Sequence, residues 1–159
     1  MAEAKVGICR KGEITAEEVL RRIRRTVKGE AGAIGLFIGI VRGKTSNGKT
    51  VTGLSYDVYE EVVNEYLKRI RDEALSKDGV IDAQIYHVID DLEVGEDIMF
   101  VAVAGKHRSE VFEALREIVD RVKSEAPIFK KEKLASGESY WVSEVEAERK
   151  FRVQKRLQT

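Results

Sequence analysis

The segment Gly105-Lys106-His107-Arg108-Ser109 places anion-binding residue types where a predicted strand ends and a predicted helix begins. The first backbone amides of a helix have no partner within the helix, and the helix dipole adds partial positive charge beside them. His107 and Arg108 supply two further donors that can carry charge. The pattern indicates a cradle for a phosphate or another anion. The alternative is a helix start whose histidine and arginine are exposed on the surface and bind no ligand.

Lys123 is a second candidate because of its position on the third predicted helix. Phe112, Val119 and Lys123 are separated by seven and four residues, so the lysine stem continues the apolar stripe of the helix. We therefore predict that its ammonium group enters a pocket, where it could serve as a proton shuttle or a nucleophile. The alternative is a lysine that lays its stem along the apolar surface near the helix C-terminus.

Three more lysines lie in the predicted strand at 128–134. Successive side chains of a strand point to opposite faces, so Lys130 points away from Lys131 and Lys133. Only one of these faces can join the Lys123 pocket. The alternative is a solvated edge strand that uses lysines against aggregation.

These candidates need a framework, and hydrophobic periodicity predicts one. Apolar runs bounded by turn residues predict strands at 5–9, 32–41, 51–56, 80–88, 97–104, 128–134 and 139–142. Apolar residues at helical spacing predict helices from a Thr15–Glu18 capping box to Gly29, over 60–77, and from Ser109 as N-cap to Pro127. The strands at 80–88 and 97–104 should pair antiparallel, and those at 128–134 and 139–142 should form a hairpin.

The strand at 32–41 is expected to be buried on both faces, because it is rich in small and β-branched residues. It emerges at Arg42, beside a polar segment at 43–50 whose Asn47-Gly48 pair predicts a flexible hairpin loop. Beyond residue 143 the chain is highly charged and compatible with a helix. We therefore divide it into a domain at 1–143 and a tail at 144–159.

Composition excludes several function classes. A chain of 159 residues with 43% hydrophobic and 35% charged residues is typical of one folded domain. The 28 basic residues balance the 28 acidic ones, which disfavours a general nucleic-acid binder. We expect a cytoplasmic protein, because the N-terminus lacks a signal-peptide pattern, no apolar run is long enough to span a bilayer, and the single cysteine, Cys9, cannot form an internal disulfide.

No cofactor is predicted from the sequence motifs. The chain contains neither a dinucleotide-binding glycine motif, nor a phosphate-binding Walker loop, nor a hydrolase nucleophile elbow. Its two histidines, His87 and His107, are too few for a zinc site unless carboxylates join them. We therefore expect neither a nucleotide cofactor nor a metal.

Several motifs, taken in order, closely resemble the large, catalytic subunit of molybdopterin synthase. The segments that carry the resemblance are FIGIVR at 37–42, GKHR at 105–108, FEA at 112–114, Lys123 with APIFKKE at 126–132, and the stretch 137–142. Each motif alone is weak, but their order and spacing over residues 30–142 are specific. The resemblance identifies the chain as a member of this family.

The resemblance implies a mixed α/β (α+β) fold, the α/β-hammerhead with an additional antiparallel β subdomain. It also implies a homodimer that binds a small ubiquitin-like sulfur carrier at each end, forming a heterotetramer. The Gly-Gly tail of the carrier, ending as a thiocarboxylate, would enter the active site. Two sulfur transfers would convert cyclic pyranopterin monophosphate into the dithiolene of molybdopterin.

Site residues follow from the same resemblance, position by position. Lys123 and Lys130 match the catalytic lysines. The positions that match substrate-binding residues are Ile40, Val41, Arg42, His107, Arg108, Lys123, Lys130, Lys131 and Glu132. We expect Lys123 to act in acid/base chemistry and Lys130 to orient the substrate and stabilise developing charge.

Some features depart from the family pattern, and two other function classes stay open. Where the family often has His-Arg-x-Gly, this chain has His87-Val88-Ile89-Asp90, so we expect a structural role for His87. One rival is a non-catalytic docking module for a ubiquitin-like carrier. The other is an RNA-binding domain built on the arginines of the first helix, which are Arg21, Arg22, Arg24 and Arg25.

Overall fold

The structure, a computed structural model, describes residues 3–143. The charged tail at 144–159, with its expected helical character, lies outside the described residues. In the described part the strands are β1 (Val6–Cys9), β2 (Ala33–Ile40), β3 (Val51–Val58), β4 (Val80–Val88), β5 (Leu92–Glu93), β6 (Asp97–Gly105), β7 (Ile128–Leu134) and β8 (Ser139–Ser143). The helices are α1 (Ala16–Thr26), α2 (Glu60–Leu75) and α3 (Arg108–Glu125).

The strands form two four-stranded sheets. The first sheet has the order β1-β4-β6-β2, with β1 parallel to β4 and the other neighbours antiparallel. The central strands β4 and β6 are buried over most of their length because both faces of the sheet are covered. The predicted antiparallel pairing of these two strands is confirmed.

The second sheet has the order β5-β3-β7-β8 and is antiparallel throughout. It contains the predicted β7–β8 hairpin and forms the additional antiparallel subdomain. The two-residue strand β5 was not predicted, because it lies inside the acidic turn at 90–95. The predicted hairpin between β2 and β3 is wrong, because the two strands lie in different sheets. The Asn47-Gly48 segment does form a turn, with an isolated bridge between Lys44 and Thr50 and a hydrogen bond of 3.0 Å from the Lys49 amide to the Thr45 hydroxyl.

The helices cover the first sheet on opposite faces. Helices α2 and α3 pack on one face around Leu67, Ile70 and Ile118. Helix α1 belongs with the second sheet to the other hydrophobic cluster, around Val19 and Ile23. None of the helices described in residues 3–143 is long and apolar enough to cross a membrane.

The position of strand β2 differs from the prediction that this strand is buried on both faces. The strand is present, but it lies at the edge of the first sheet and is not buried on both faces. The side chains of Ile38 and Ile40 are 40% and 53% exposed. The prediction was wrong because an apolar, β-branched run has the composition of a central strand, whereas strand order depends on contacts far along the chain.

Helix starts follow the capping rules at one position and depart from them at another. Thr15 caps α1 as predicted, accepting a hydrogen bond of 3.2 Å from the Glu18 amide. The predicted Ser109 cap of α3 is wrong, because His107 is the N-cap residue and Ser109 lies in the first turn. The Ser109 hydroxyl instead donates to the Glu110 carboxylate at 3.1 Å.

The arginine-rich face of α1 is largely ion-paired. Arg22 contacts Glu18 at 3.0 Å, and Arg21 also pairs with Glu18. Arg25 contacts Glu3 at 3.1 Å. This pairing favours a solvated helix surface over an RNA-binding face.

Candidate functional site

Lys123 lies in the last turn of α3, where local sequence explains both the helix end and the position of the side chain. The residue before a proline is disfavoured in helical conformation, and Ala126, which precedes Pro127, is extended with ψ of 130°. Val122 and Ala126 are buried and anchor this turn. Lys123 is consequently half-buried.

The Lys123 amine is not committed to any structural contact. Among residues 3–143 it has no hydrogen-bonded or ion-paired partner. Arg121, two residues earlier, pairs with Glu125 at 2.7 Å and also with Glu73. Because the protein pairs one cation of this turn and leaves its neighbour without an acid, the Lys123 amine is available to a ligand.

Lys130 lies on the inward face of the second sheet. It is opposite Tyr56 on β3 and Val142 on β8. Its Nζ is 3.9 Å from Oε1 of Glu132, and the two side chains are only 19% and 15% exposed. Glu132 Oε2 accepts a hydrogen bond of 2.6 Å from the Tyr140 hydroxyl.

Lys131 does not share this face. Its ammonium group lies over the Trp141 ring, 5.5 Å from the ring centroid. The alternation of β7 therefore separates the predicted binding residue Lys131 from Lys130 and Glu132. Of the three predicted site residues on β7, only Lys130 and Glu132 therefore lie on the same face of the sheet.

Strand register places Lys130 level with the end of β2. Tyr56, opposite Lys130, packs edge-to-face on the His87 ring with centroids 5.2 Å apart. His87 pairs with Met99 on β6, and Met99 pairs with Gly39 on β2. His87 itself is buried, with Nδ1 3.0 Å from the Val88 carbonyl, which is consistent with the expected packing role.

Helix α3 brings Lys123 towards the same end. At the start of the helix, Val111 is so close to Gly35 and Gly105 that a Cβ at either glycine would lie within 3 Å of it. Further along, Val119 lines a groove with Phe37. The helix thus follows β2 towards Gly39. We call the resulting group, Arg42, Lys123, Lys130 and Glu132, the lysine end.

Two predicted substrate-binding residues at the end of β2, Ile40 and Val41, differ in exposure. Ile40 is 53% exposed, whereas Val41 is 2% exposed and packs in the core. Val41 therefore belongs to the hydrophobic core and does not present its side chain to a ligand. Arg42 is exposed and has no ion pair within the described part of the chain.

His107 and Arg108 lie at the opposite end of the first sheet, following the last residue of β6. Strand β6 begins at Asp97, near Val41, and nine residues of strand span about 27 Å. Along α3, the rise from Arg108 to Lys123 is about 22 Å. A single chain therefore does not form the expected cavity that joins all predicted site residues.

The family model described as MoaE protein matches residues 9–125. The chain belongs to the MoaE family. The molybdopterin synthase catalytic subunit of Pyrococcus abyssi is 38% identical over 143 residues, which cover 89% of this chain and 93% of that protein. The subunit of the same name from Bacillus subtilis is 37% identical over 134 residues, covering 84% and 82%.

Solved structures agree with the sequence matches. Molybdopterin synthase from Staphylococcus aureus superposes with a TM-score of 0.76 at 27% identity, covering 88% of this chain and 98% of that one. A protein-protein complex of subunits 1 and 2 of molybdopterin-converting factor from Helicobacter pylori gives a TM-score of 0.70 at 25% identity, covering 87% and 90%. The family, the fold class and the enzyme class predicted from the sequence are confirmed.

The anion cradle predicted at the start of α3 is occupied in this MoaE-family chain by its own Glu110. The carboxylate accepts a hydrogen bond from its own backbone amide and lies 3.3 Å from His107 Nδ1. These contacts, with that from Ser109, hold the pKa of Glu110 below its usual value. An external anion would have to displace this carboxylate to reach the Glu110 amide.

Two further residues of interest were not recognised from the sequence. Neither Tyr140 nor Glu110 was assigned a role in the site from the sequence. The signal for Tyr140 is its position opposite Glu132 across the hairpin, which becomes visible once the register is known. The signal for Glu110 is an acid in the first turn of a helix, which the helix dipole favours.

Other chemistry finds little support in the described residues. No group of three or more His, Cys, Asp or Glu side chains in residues 3–143 is arranged to hold a metal ion. Burial raises the pKa of Cys9 to about 11, with Glu13 adding to the effect, so its thiol is a poor nucleophile at neutral pH.

Proposed function

We propose that this chain transfers sulfur from the thiocarboxylated C-terminus of a small ubiquitin-like carrier to cyclic pyranopterin monophosphate, forming the dithiolene of molybdopterin in two transfers. The observation that carries the proposal is the half-buried residue Lys123, whose amine has no partner in residues 3–143 and which lies at the same end as Lys130 and Arg42. Membership of the MoaE family supplies the reaction class.

The residues of the lysine end suit distinct roles in this reaction. Lys123 moves the proton during attack of the thiocarboxylate sulfur, because its amine is free of acids that would hold the proton. Lys130, restrained beside Glu132, orients the substrate and stabilises developing negative charge. Arg42 binds an anionic part of the pterin substrate, and exposed Ile40 contributes an apolar wall.

A second copy of the chain completes the site in this proposal. His107 and Arg108 lie more than 20 Å from Lys123 by the rise of α3, roughly the length of the helix. In a dimer they face the lysine end of the other copy and bind the anionic portion of its substrate. The exposed edge strand β2, with Ile38 and Ile40, is a surface on which two copies could meet.

The carrier occupies each end of this dimer, giving a heterotetramer. The H. pylori complex of two subunits, a structural neighbour of this chain, supports a small partner subunit. The setting is the cytoplasm, where a reducing environment keeps thiocarboxylates and the free Cys9 from oxidation.

Reconstitution tests the proposed function. The purified protein is supplied with thiocarboxylated carrier and cyclic pyranopterin monophosphate, and dithiolene is assayed. Lys123→Ala should reduce product formation about a thousandfold while the dimer stays folded, since it removes the acid/base group. Lys68→Ala, at an exposed position on α2, is the matched control and should have wild-type turnover.

Two outcomes would reject the assignment. Wild-type turnover by Lys123→Ala removes the proposed role of that lysine. Carrier binding without dithiolene formation by the unmodified protein identifies a docking module instead of an enzyme.

A further inference from the structure

Helix α3 carries an apolar surface that no element within residues 3–143 covers. The side chain of Phe112 is 68% exposed. Together with Leu115 and Val119 of the same helix and Phe37 of β2, it lines an open groove of about 470 Å³. A contiguous apolar surface of this kind is typical of a protein–protein contact site.

The groove is part of a longer row of side chains that follows α3 almost from end to end. Spacings of four, three, four and four residues place the members of this row on one face of the helix. We call the row the α3 stripe, and in chain order it consists of Arg108, Phe112, Leu115, Val119 and Lys123. The α3 stripe is apolar in the middle and basic at both ends.

The order of residue types in the α3 stripe is the same in both directions. In two antiparallel copies of α3, a twofold axis just after Leu115 brings each residue level with the one equally far on the other side of the axis. Phe112 is then level with Val119 of the other copy, and Arg108 is level with Lys123 of the other copy. One arrangement therefore covers the apolar groove of both copies at once.

Charges beside the α3 stripe are complementary in the same arrangement. Glu113 and Arg116 lie on the same flank of the stripe, and each is within about 3 Å along the axis of being level with the other on the opposite copy. Arg116 is 86% exposed, and its contact with Asp120, at 3.8 Å, is loose. Glu113 has no ion pair within residues 3–143. Two symmetrical Glu113–Arg116 ion pairs can therefore form between the copies.

The ends of the paired stripes bring two cations together. Arg108 of one copy lies level with Lys123 of the other, and neither has an acidic partner within residues 3–143. Two such cations repel each other unless an anion lies between them. The arrangement therefore produces a place for an anion at each end of the helix pair.

We propose that two copies of this chain meet along the α3 stripe, in antiparallel orientation, with the twofold axis beside Leu115. Phe112 of each copy fills the groove of the other and packs on Val119 and Phe37. The inference deepens the proposed function, which needs Arg108 of one copy near Lys123 of the other. It rests on that function only for the role of these two cations in binding substrate.

Cysteine crosslinking tests the position of the axis. Leu115→Cys places two thiols beside the axis, so mild oxidation of the folded protein should give a covalent dimer as the main product on a non-reducing gel. Lys68→Cys, at an exposed position on α2, is the control and should stay monomeric on that gel. The native Cys9 is buried and does not compete. Crosslinking of Leu115→Cys no faster than that of Lys68→Cys would overturn the inference.

A charge exchange tests the register independently. Glu113→Arg and Arg116→Glu should each weaken the dimer about tenfold in sedimentation equilibrium, because both ion pairs become like-charge contacts. The double variant restores opposite charges and should return the dissociation constant to within about threefold of the parent value. Glu65→Arg, the same change at an exposed position on α2, should have no effect. Unaltered dimers in both single variants, or no recovery in the double variant, would contradict the proposed register.

The two experiments do not need the proposed reaction. If the carrier covers the α3 stripe instead of a second copy, Phe112→Ala weakens carrier binding, the dimer constant stays at the parent value and the inference is wrong. If crosslinking and charge exchange give the expected results but the unmodified protein makes no dithiolene, the interface stands and the proposed function fails. Dithiolene formation by a protein that fails both tests overturns the interface alone.

Discussion

Two groups of partly buried charges in this chain are built in opposite ways. The group around Asp82, here called the Asp82 cluster, consists of Lys5, Thr26, Arg71, Asp82 and Gln84. Its carboxylate accepts hydrogen bonds of 2.7 Å from Thr26 and 2.9 Å from Arg71, with Lys5 at 3.7 Å. At the lysine end, Lys123 has no such partner in residues 3–143, and the ion pair of Lys130 with Glu132 is loose.

The difference indicates what each group does. Burying a charge is costly unless hydrogen bonds and opposite charges satisfy it, and the Asp82 cluster meets this condition. It joins β4 to α1 and α2, so its role is to hold the fold. Lys123 and Arg42, which have no acidic partner within residues 3–143, add little to stability and are available for an anionic substrate.

The largest expected effect comes from breaking the paired group. Asp82→Asn leaves Arg71 without its carboxylate, and removal of one partner of a buried pair costs about 3 kcal/mol. Urea denaturation should show this loss in the free energy of unfolding. The kcat of the folded protein should be unchanged, and a loss of kcat at full stability would contradict the comparison.

A nearby acid serves as the control for that substitution. Asp72 also approaches Arg71, at 4.0 Å, but its side chain is 74% exposed. Asp72→Asn should therefore change the free energy of unfolding by less than about 0.5 kcal/mol.

An acidic side chain placed beside Lys123 would make the lysine end resemble the Asp82 cluster. Val119 lies one helical turn before Lys123, the spacing at which a glutamate and a lysine pair best. Val119→Glu should lower turnover about tenfold below Val119→Gln, which has the same size without the charge. Equal turnover of the two variants would show that Lys123 does not need to be free of acids.

A smaller effect is expected from the neutral donor of the Asp82 cluster. Thr26→Val removes the hydroxyl that donates to Asp82 at 2.7 Å and keeps the shape of the side chain. Loss of this hydrogen bond should cost about 1 kcal/mol in thermal or urea unfolding. In the Asp82→Asn background the same substitution should cost less, and equal costs would argue against a shared network.

The smallest effect concerns acid stability. Burial opposes ionisation of Asp82, but hydrogen bonds from Thr26, Arg71 and Gln84 and the charge of Lys5 outweigh it, so the pKa of Asp82 is lowered. A lowered pKa in the folded state adds stability above the unfolded pKa of about 3.9, and this stability is lost as the pH falls through the folded value. Unfolding measured from pH 6 to pH 2 should therefore show a shallower acid loss in Asp82→Asn than in the unmodified chain.

Local patterns in the sequence predicted most of the elements. Helix α3 was identified by apolar residues at helical spacing, which follows from backbone geometry. Strands β4 and β6 were identified by short continuous apolar runs. Strand order was not predictable in the same way. The edge position of β2 depends on pairing with β6, some 60 residues away, and a run of small and β-branched residues does not encode it.

The sequence predicted which residues belong to the site better than it predicted how they are arranged in space. The stripe position of Lys123 agrees with its half-buried state, and strand alternation predicted the separation of Lys130 from Lys131. The distance of His107 from Lys123 follows from the rise along α3, which the sequence predicted as a helix, whereas the position of Arg42 relative to Lys123 required the strand order. Tyr140 required the register of the hairpin.

Mixed-dimer complementation tests the central claim, that the lysine end of one copy works with His107 of another. His107→Ala and Lys123→Ala are each purified as inactive variants, then dissociated, mixed and reassociated before dithiolene is assayed. We expect activity to reappear, because each mixed dimer contains one complete site. Failure of the mixture to recover activity, with exchange of copies verified by mass spectrometry, would contradict the account.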